Sequence, residues 1–182
     1  MKTTHLLFAL LGVLTALCGC NSNSSALQYA KEIDKEALLV ELPDRIYYRS
    51  TGCTPENETE ESEQIRCFNK KTGKDDTVVE FASTESPLEG NSVENAWELP
   101  DHSGLALVLY SGGNEMQFLS LYRITPGKTE EIITVCGLSD DIDASLEEIP
   151  AIDKTEKGVK VYDPEAKRTT WYGLDCNPLQ VQ

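Results

Sequence analysis

The stretch from Leu105 to Val135 constrains the fold most, because apolar runs alternate there with turns that are too short for anything except hairpins. The runs LALVLY (105–110) and MQFLSLYRI (116–124) flank Gly112-Gly113, and TPGKT then leads into EIITV (131–135). Two β-rich runs joined by a short glycine-containing turn are typical of an antiparallel hairpin. The sequence therefore predicts three consecutive antiparallel strands, with the continuous apolar run 105–110 in the core.

Three stretches of the chain share one layout, in which a strand ends near an aromatic residue and a lysine-containing turn leads into a second strand. They are IRCFNKKTGKDDTVVEF, LSLYRITPGKTEEIITV and VKVYDPEAKRTTWYGL, with the aromatic residues Phe68, Tyr122 and Tyr162. This layout fits the outer hairpins of propeller blades, and it equally fits hairpins of a meandering sheet or sandwich. The predicted fold class is mainly β, made of antiparallel hairpins in a meander, sandwich-like or partial propeller-like sheet, with one short N-terminal helix.

The predicted helix covers residues 26–37, where Ser25 and Gln28 form a capping box and apolar residues recur at helical spacing. Further strands are expected at 37–42, 45–50, 65–69, 77–81, 159–162 and 169–174. Acidic or turn-rich composition predicts loops at 54–63, 82–95 and 139–148.

The N-terminal segment HLLFALLGVLTALCGC (5–20) has an apolar core of about twelve residues, which is the length of a signal h-region and too short for a membrane-spanning helix. Leu17, Gly19 and Cys20 resemble the lipobox of bacterial lipoproteins. The resemblance implies cleavage after Gly19 and acylation of Cys20. It implies a signal peptide at 1–19, followed by the lipidated cysteine and a polar tether at 20–26. The strand patterns and the remaining cysteines predict one disulfide-stapled β-rich domain at 27–182.

The resemblance also implies a location in the bacterial cell envelope. Asn21 follows the lipidated cysteine where an aspartate would favour the inner membrane, so an outer-membrane anchor that faces the periplasm is expected. An ordinary signal peptide and a metal site are the alternatives for this segment. A metal site is disfavoured because two cysteines cannot complete a four-ligand shell.

The charge of the chain limits its partners. Without residues 1–19 the chain has 15 basic and 31 acidic residues, a formal net charge of −16. Such an excess repels nucleic acid and anionic lipid, whereas a basic protein is electrostatically allowed. The expected partners are the membrane, through the lipid, and a protein, for which a basic surface is electrostatically allowed, with no nucleic acid.

Four cysteines follow Cys20. An even number in an exported chain predicts two disulfides. Three pairings are open, of which Cys53–Cys67 and Cys136–Cys176 are favoured by position. A zinc site is disfavoured because no CxxC motif occurs and His102 is the one histidine after the signal segment.

No catalytic constellation emerges from the motifs. His102 lies between Asp101 and Ser103, but adjacent residues of one loop do not naturally align as a triad. The run SDDIDASLEE lacks the glycine and glutamate of a calcium loop. We therefore expect no enzyme activity, no cofactor and no metal.

The interpretation is a protein-binding lipoprotein, one that could neutralise a secreted effector as an immunity protein does. The alternatives are a structural or envelope-assembly lipoprotein and, less favoured, a carboxylate-dependent hydrolase. Trp97 and Trp171 are candidate aromatic recognition residues, with core or hairpin packing as the alternative for both. The candidate partner-binding residues are Glu56, Glu58, Glu60, Glu61, Asp140, Asp141, Asp143 and Trp97.

Overall fold

The structure is a computed structural model that describes residues 37–54, 57–82, 85–113, 115–139, 145 and 147–179, with the backbone alone for 52–54 and 57–61. These residues form eleven β-strands and no helix, which confirms the mainly β prediction. The predicted helix at 26–37 lies outside the described residues except for Ala37. The strands are β1 (Leu38–Glu41), β2 (Arg45–Thr54), β3 (Asn57–Asn69), β4 (Asp75–Phe81), β5 (Ser92–Glu98), β6 (Leu105–Gly112), β7 (Met116–Thr125), β8 (Lys128–Leu138), β9 (Ala151–Thr155), β10 (Gly158–Asp163) and β11 (Arg168–Tyr172).

The strands form three antiparallel meanders, each built from consecutive strands. We call them the N-terminal sheet (β1–β4), the central sheet (β5–β8) and the C-terminal sheet (β9–β11). The three stretches with a shared sequence layout are the hairpins β3–β4, β7–β8 and β10–β11. The shared layout therefore marks the last hairpin of each sheet.

The central sheet lies between the other two, and β6 shows why its sequence is apolar without interruption. Leu105, Leu107 and Leu109 are buried in a cluster with residues of the N-terminal sheet, whereas Ala106 and Val108 are buried in a cluster with residues of the C-terminal sheet. Because successive residues of a strand point to opposite faces, a strand that is covered on both faces needs an apolar residue at every position.

Each interface between sheets contains its own apolar core. The first core joins the N-terminal and central sheets through Tyr47, Ile65, Val78, Val79, Phe81, Leu105, Leu107, Leu109 and Ile124, with Leu88 from the segment before β5. The second core joins the central and C-terminal sheets through Trp97, Leu99, Ala106, Val108, Leu121, Val135, Ile152, Val159, Val161, Tyr172 and Cys176. Consecutive meanders that pack face to face in this way are also how propeller blades pack.

Two strands were not predicted, and two predicted loops are wrong, one over most of its length and one at its end. The loop expected at 54–63 is the end of a long β2–β3 hairpin, in which Cys53 pairs with Glu61 and Thr54 with Asn57. The polar strand β5 begins at Ser92, inside the predicted loop 82–95, and β9 was not predicted. Both strands lie at the edge of a sheet, where one side of the backbone has no neighbouring strand and a polar sequence is tolerated.

Candidate binding cleft

A cleft of about 570 Å³ opens between the central and C-terminal sheets, at the end where β5 begins. The cleft continues the second core towards solvent. Asn95 and Gln117 lie two residues before Trp97 and Leu119 on their strands, and Tyr110 lies two residues after Val108. All three therefore lie on the face of the central sheet that bears the second core. Its lining residues are Ser92, Glu94, Asn95, Val108, Tyr110, Gln117, Leu119, Ile149, Pro150, Ala151, Ile152 and Asp153.

Gln117 is the polar group that lies deepest in this cleft. Only 5% of its surface is exposed, yet its carboxamide forms no hydrogen bond with any residue that the structure describes. Its carboxamide atoms are not among the fully buried side-chain atoms that lack a partner in the described structure, so they are open to the cleft and not sealed in the core. The carboxamide of Gln117 is therefore available to a molecule that enters the cleft.

A β-bulge shapes one wall of the cleft. Val93 pairs with Leu109 and Asn95 with Val108, so Glu94 is the extra residue on β5. The bulge places Asn95 on the face that bears Trp97. Ser92 donates a hydrogen bond from Oγ to Glu94 Oε1 at 3.1 Å. Sequence reasoning missed this wall because a polar strand with a bulge has no regular alternation.

The charges that line the cleft are all negative. Glu94 and Asp153 are exposed carboxylates from β5 and β9, and no lysine, arginine or histidine is among the lining residues that the structure describes. The carboxamides of Asn95 and Gln117 and the hydroxyl of Tyr110 add neutral acceptors. The cleft can therefore accept a ligand that donates hydrogen bonds and carries a positive charge.

A second polar cluster lies where β2 meets β5, and it is centred on Glu98. The Glu98 carboxylate accepts a hydrogen bond from Tyr47 Oη at 3.0 Å and pairs with Arg45 Nη1 at 3.0 Å, while His102 Nδ1 lies 2.6 Å from Oε2. Burial raises the pKa of the Tyr47 hydroxyl, and the negative charge that Cys67 would carry raises it further. The cluster joins the N-terminal sheet to the central sheet.

The segment around His102 does not form a hydrolase triad. The imidazole is paired with Glu98, whereas Ser103 donates to Asp101 Oδ1 at 2.7 Å. The Ser103 hydroxyl is therefore bonded to a carboxylate and is not aligned with the His102 imidazole, as a triad would require. Cys67 is no better as a nucleophile, because burial raises the pKa of its thiol and disfavours the thiolate.

The predicted disulfides require a correction, because the cysteines are not placed to form these pairs. Cys67, Cys136 and Cys176 are free thiols. The β2–β3 ladder pairs Cys53 with Glu61 and Cys67 with Tyr47, so the two cysteines lie six positions apart, roughly 20 Å at the rise of a β-strand. A disulfide needs Cα atoms within about 7 Å.

The second predicted pair is separated by the central sheet. Cys176 is buried in the second core with Val135. Cys136 follows Val135 on β8, so its side chain points to the opposite face of the sheet. Cys136 and Cys176 therefore cannot approach each other without disrupting the sheet.

The predicted partner-binding residues have different positions in the structure. Trp97 is a correction: it is 4% exposed, and its indole N–H donates to the carbonyl of Leu174 at 2.9 Å. Trp97 therefore belongs to the core, because both its ring and its polar atom are already engaged. Glu56 and the acids Asp140, Asp141 and Asp143 lie outside the described residues.

The remaining three predicted acids, Glu58, Glu60 and Glu61, lie on β3. From Glu63 to Phe68 strand β3 pairs with β4 as well as with β2, whereas Asn57, Glu61 and Ser62 pair with β2 alone, and the register shifts between Asn57 and Glu61. The hairpin therefore extends beyond the rest of its sheet as a two-stranded ribbon. We call residues 52–54 and 57–61 the acidic hairpin.

Comparison with known proteins adds no family to this description. No family model matches the chain, and neither a curated protein nor a solved structure matches it. In the part of the chain that the structure describes, no helix could span a membrane, and no group of three or more histidine, cysteine or acidic residues is placed to hold a metal ion.

Proposed function

We propose that this chain is a lipid-anchored binding protein of the bacterial cell envelope that faces the periplasm and holds a basic partner protein. The anchor is Cys20, and residues 1–19 are a signal peptide that is removed. Neutralisation of a secreted effector is the specific form of this proposal.

The single observation that supports the proposal best is the acidic hairpin. Strands β2 and β3 extend beyond the ends of β1 and β4. In the described structure the acidic hairpin therefore has no neighbouring strand on either side. It bears Glu58, Glu60 and Glu61, with Glu56 between the two strands. A projecting ribbon with this charge suits a partner with a basic surface, because complementary charge steers association and fixes orientation.

A binding role also agrees with the state of the polar clusters. Glu98 is already paired with Arg45 and Tyr47, and the Ser103 hydroxyl is bound to Asp101. In the described residues these groups link strands and turns. They do not converge on a position that a reacting atom could occupy.

Capture of the partner from an envelope extract by the full chain tests the binding role. A variant with Glu58→Gln, Glu60→Gln and Glu61→Gln should capture less than the native chain at low salt. The control variant with Glu85→Gln, Glu89→Gln and Glu165→Gln makes the same change of net charge at exposed positions elsewhere and should capture as much as the native chain. Equal losses in both variants would show that net charge alone, and not the hairpin, attracts the partner.

The anchor has its own test. Cys20→Ala should abolish incorporation of labelled palmitate and release the chain from the membrane fraction, since the acyl chains supply the attachment. A native chain that is recovered unlipidated, with its N-terminal segment intact, would contradict the lipoprotein proposal.

The identity of the captured protein separates the alternatives. A partner that damages cells when it is exported alone, and is harmless when this chain is present, supports effector neutralisation. A component of an envelope-assembly machine would favour the structural alternative. Hydrolysis of a substrate that is lost on changing a single carboxylate would favour the enzyme.

A further inference from the structure

We propose that the cleft between the central and C-terminal sheets binds a lysine or arginine side chain of the partner protein. The identity of the occupant as part of a protein rests on the proposed function. The cleft's affinity for the positive charge rests on the structure of the cleft alone.

Gln117 is the observation that points to a ligand. Gln117 is 5% exposed and lines the cleft, and its side chain has no hydrogen-bond partner among the described residues. Its neighbours Leu119 and Leu121 on the same face of β7 are apolar and pack into the second core. No described residue forms a hydrogen bond with the carboxamide of Gln117. A group that enters the cleft can therefore form that hydrogen bond.

The charges favour a cation over a neutral or anionic ligand. Glu94 and Asp153 approach the cleft from β5 and β9, and the described lining contains no basic residue. The carboxamide oxygens of Asn95 and Gln117 and the oxygen of Tyr110 are acceptors that an ammonium or guanidinium group can satisfy. A phosphate or carboxylate would be repelled by the same groups.

The apolar part of the lining fits the stem of a long basic side chain. Val108, Leu119 and Ile152 form the inner wall, where the second core meets the cleft. Lysine and arginine bury their methylene stems on such surfaces while the charged head meets polar groups. The volume of about 570 Å³ falls within the range of small-molecule sites and accommodates one side chain together with its backbone.

The test uses the full chain in neutral detergent micelles, titrated with N-acetylarginine amide and with N-acetylcitrulline amide, which has the same shape and no charge. Binding is followed through the side-chain amide signals in nitrogen–proton correlation spectra. The signal of Gln117 is identified by its loss in Gln117→Met. We expect the arginine probe to shift this signal and to bind at least fivefold more tightly than the citrulline probe.

Three variants give graded expectations. Asp153→Asn should weaken binding of the arginine probe roughly two- to fivefold, the effect of an exposed charge pair. Gln117→Met should weaken it roughly tenfold, because hydrogen bonds to charged groups in buried positions are stronger. Gln117→Glu should strengthen binding of the arginine probe and leave that of the citrulline probe unchanged, which keeps the test informative if the methionine variant fails to fold. The control, Glu85→Gln, removes an acid from the segment that follows β4 and should change nothing.

Equal binding of the two probes, or no shift of the Gln117 signal, would overturn the proposal. A neutral disaccharide that shifts the signal while the arginine probe does not would overturn it as well. The outcome is independent of partner capture, since a failed capture experiment leaves the titration of the isolated chain unaffected.

Discussion

The thiol of Cys176 should make the protein lose stability at alkaline pH. Cys176 is 1% exposed in the second core, and burial raises the pKa of its thiol from the ordinary 9.0 to about 11, although nearby Arg123 acts in the opposite direction. The folded state therefore holds the thiol proton more tightly than the unfolded state does. The stabilisation is complete below pH 9 and is lost as the pH rises from 9 towards 11.

The size of the loss follows from the difference between the two pKa values. A difference of about two units at about 1.36 kcal/mol each gives an upper value of roughly 3 kcal/mol. The free energy of unfolding of a single domain is typically about 5–15 kcal/mol, so this loss would be a large part of it. The change should therefore be visible as a shift in the urea midpoint.

The assay compares urea unfolding of the native chain, Cys176→Ala and Cys136→Ala at pH 8, 9, 10 and 11. Tyrosines and lysines also titrate in this range, but they are common to all three proteins. The difference in unfolding free energy between the native chain and Cys176→Ala should shrink by roughly 1–3 kcal/mol between pH 9 and pH 11. The Cys136→Ala control, which changes a half-buried thiol on the other face of the central sheet, should follow the native curve. Parallel curves for the native chain and Cys176→Ala would refute the description of Cys176 as a buried free thiol.

Three further predictions concern the core and the thiols. Gly104→Ala should lower the unfolding free energy in urea titrations by about 2 kcal/mol or more, because the new Cβ would overlap a backbone carbonyl of β7. The control Gly113→Ala has open space around the new Cβ, so its unfolding free energy should stay within about 1 kcal/mol of that of the native chain. Trp97→Phe should lower the unfolding free energy by about 1–3 kcal/mol and leave partner capture unchanged, because the side chain is buried and its indole N–H is hydrogen-bonded; a loss of capture without a loss of stability would contradict its place in the core. In mass spectrometry without reductant, iodoacetamide should modify Cys136 in the native protein and Cys176 only after unfolding; a thiol that resists modification even in denaturant would indicate that it is oxidised.

A strand that is covered by other sheets on both faces is predictable, because its uninterrupted apolar composition is enough to identify it. The run at 105–110 is apolar up to Tyr110, short and followed by a glycine turn, which is typical of a buried strand, and it is β6 at the centre of the stack. The turns at Gly73 and Gly127, both with positive φ, lie between strands of alternating or apolar sequence and locate two of the three repeated hairpins. Local pattern was enough for these elements because each hairpin brings sequence neighbours together.

The edge strands and the acidic hairpin could not be predicted in this way. β5 (SVENAWE) and β9 (AIDKT) are polar, and β3 begins with the acid-rich segment NETEES. Segments with so many polar and acidic residues cannot form a buried strand, so their composition predicts loops. Backbone pairing with the neighbouring strands β6, β10 and β2 supplies the hydrogen bonds that hold these segments in a sheet, and backbone pairing leaves no signal in the side-chain pattern.

The sequence by itself determined the class of fold, the buried strand β6 and the negative charge, because these depend on composition and on periodicity over a few residues. The tertiary structure alone decided that Cys136 and Cys176 lie on opposite faces of one sheet, that Trp97 is in the core and that Gln117 lines a cleft. Whether a side chain meets a core, a partner or a cleft depends on which sheets pack face to face. Residues far apart in the chain fix that arrangement, so no short pattern contains it.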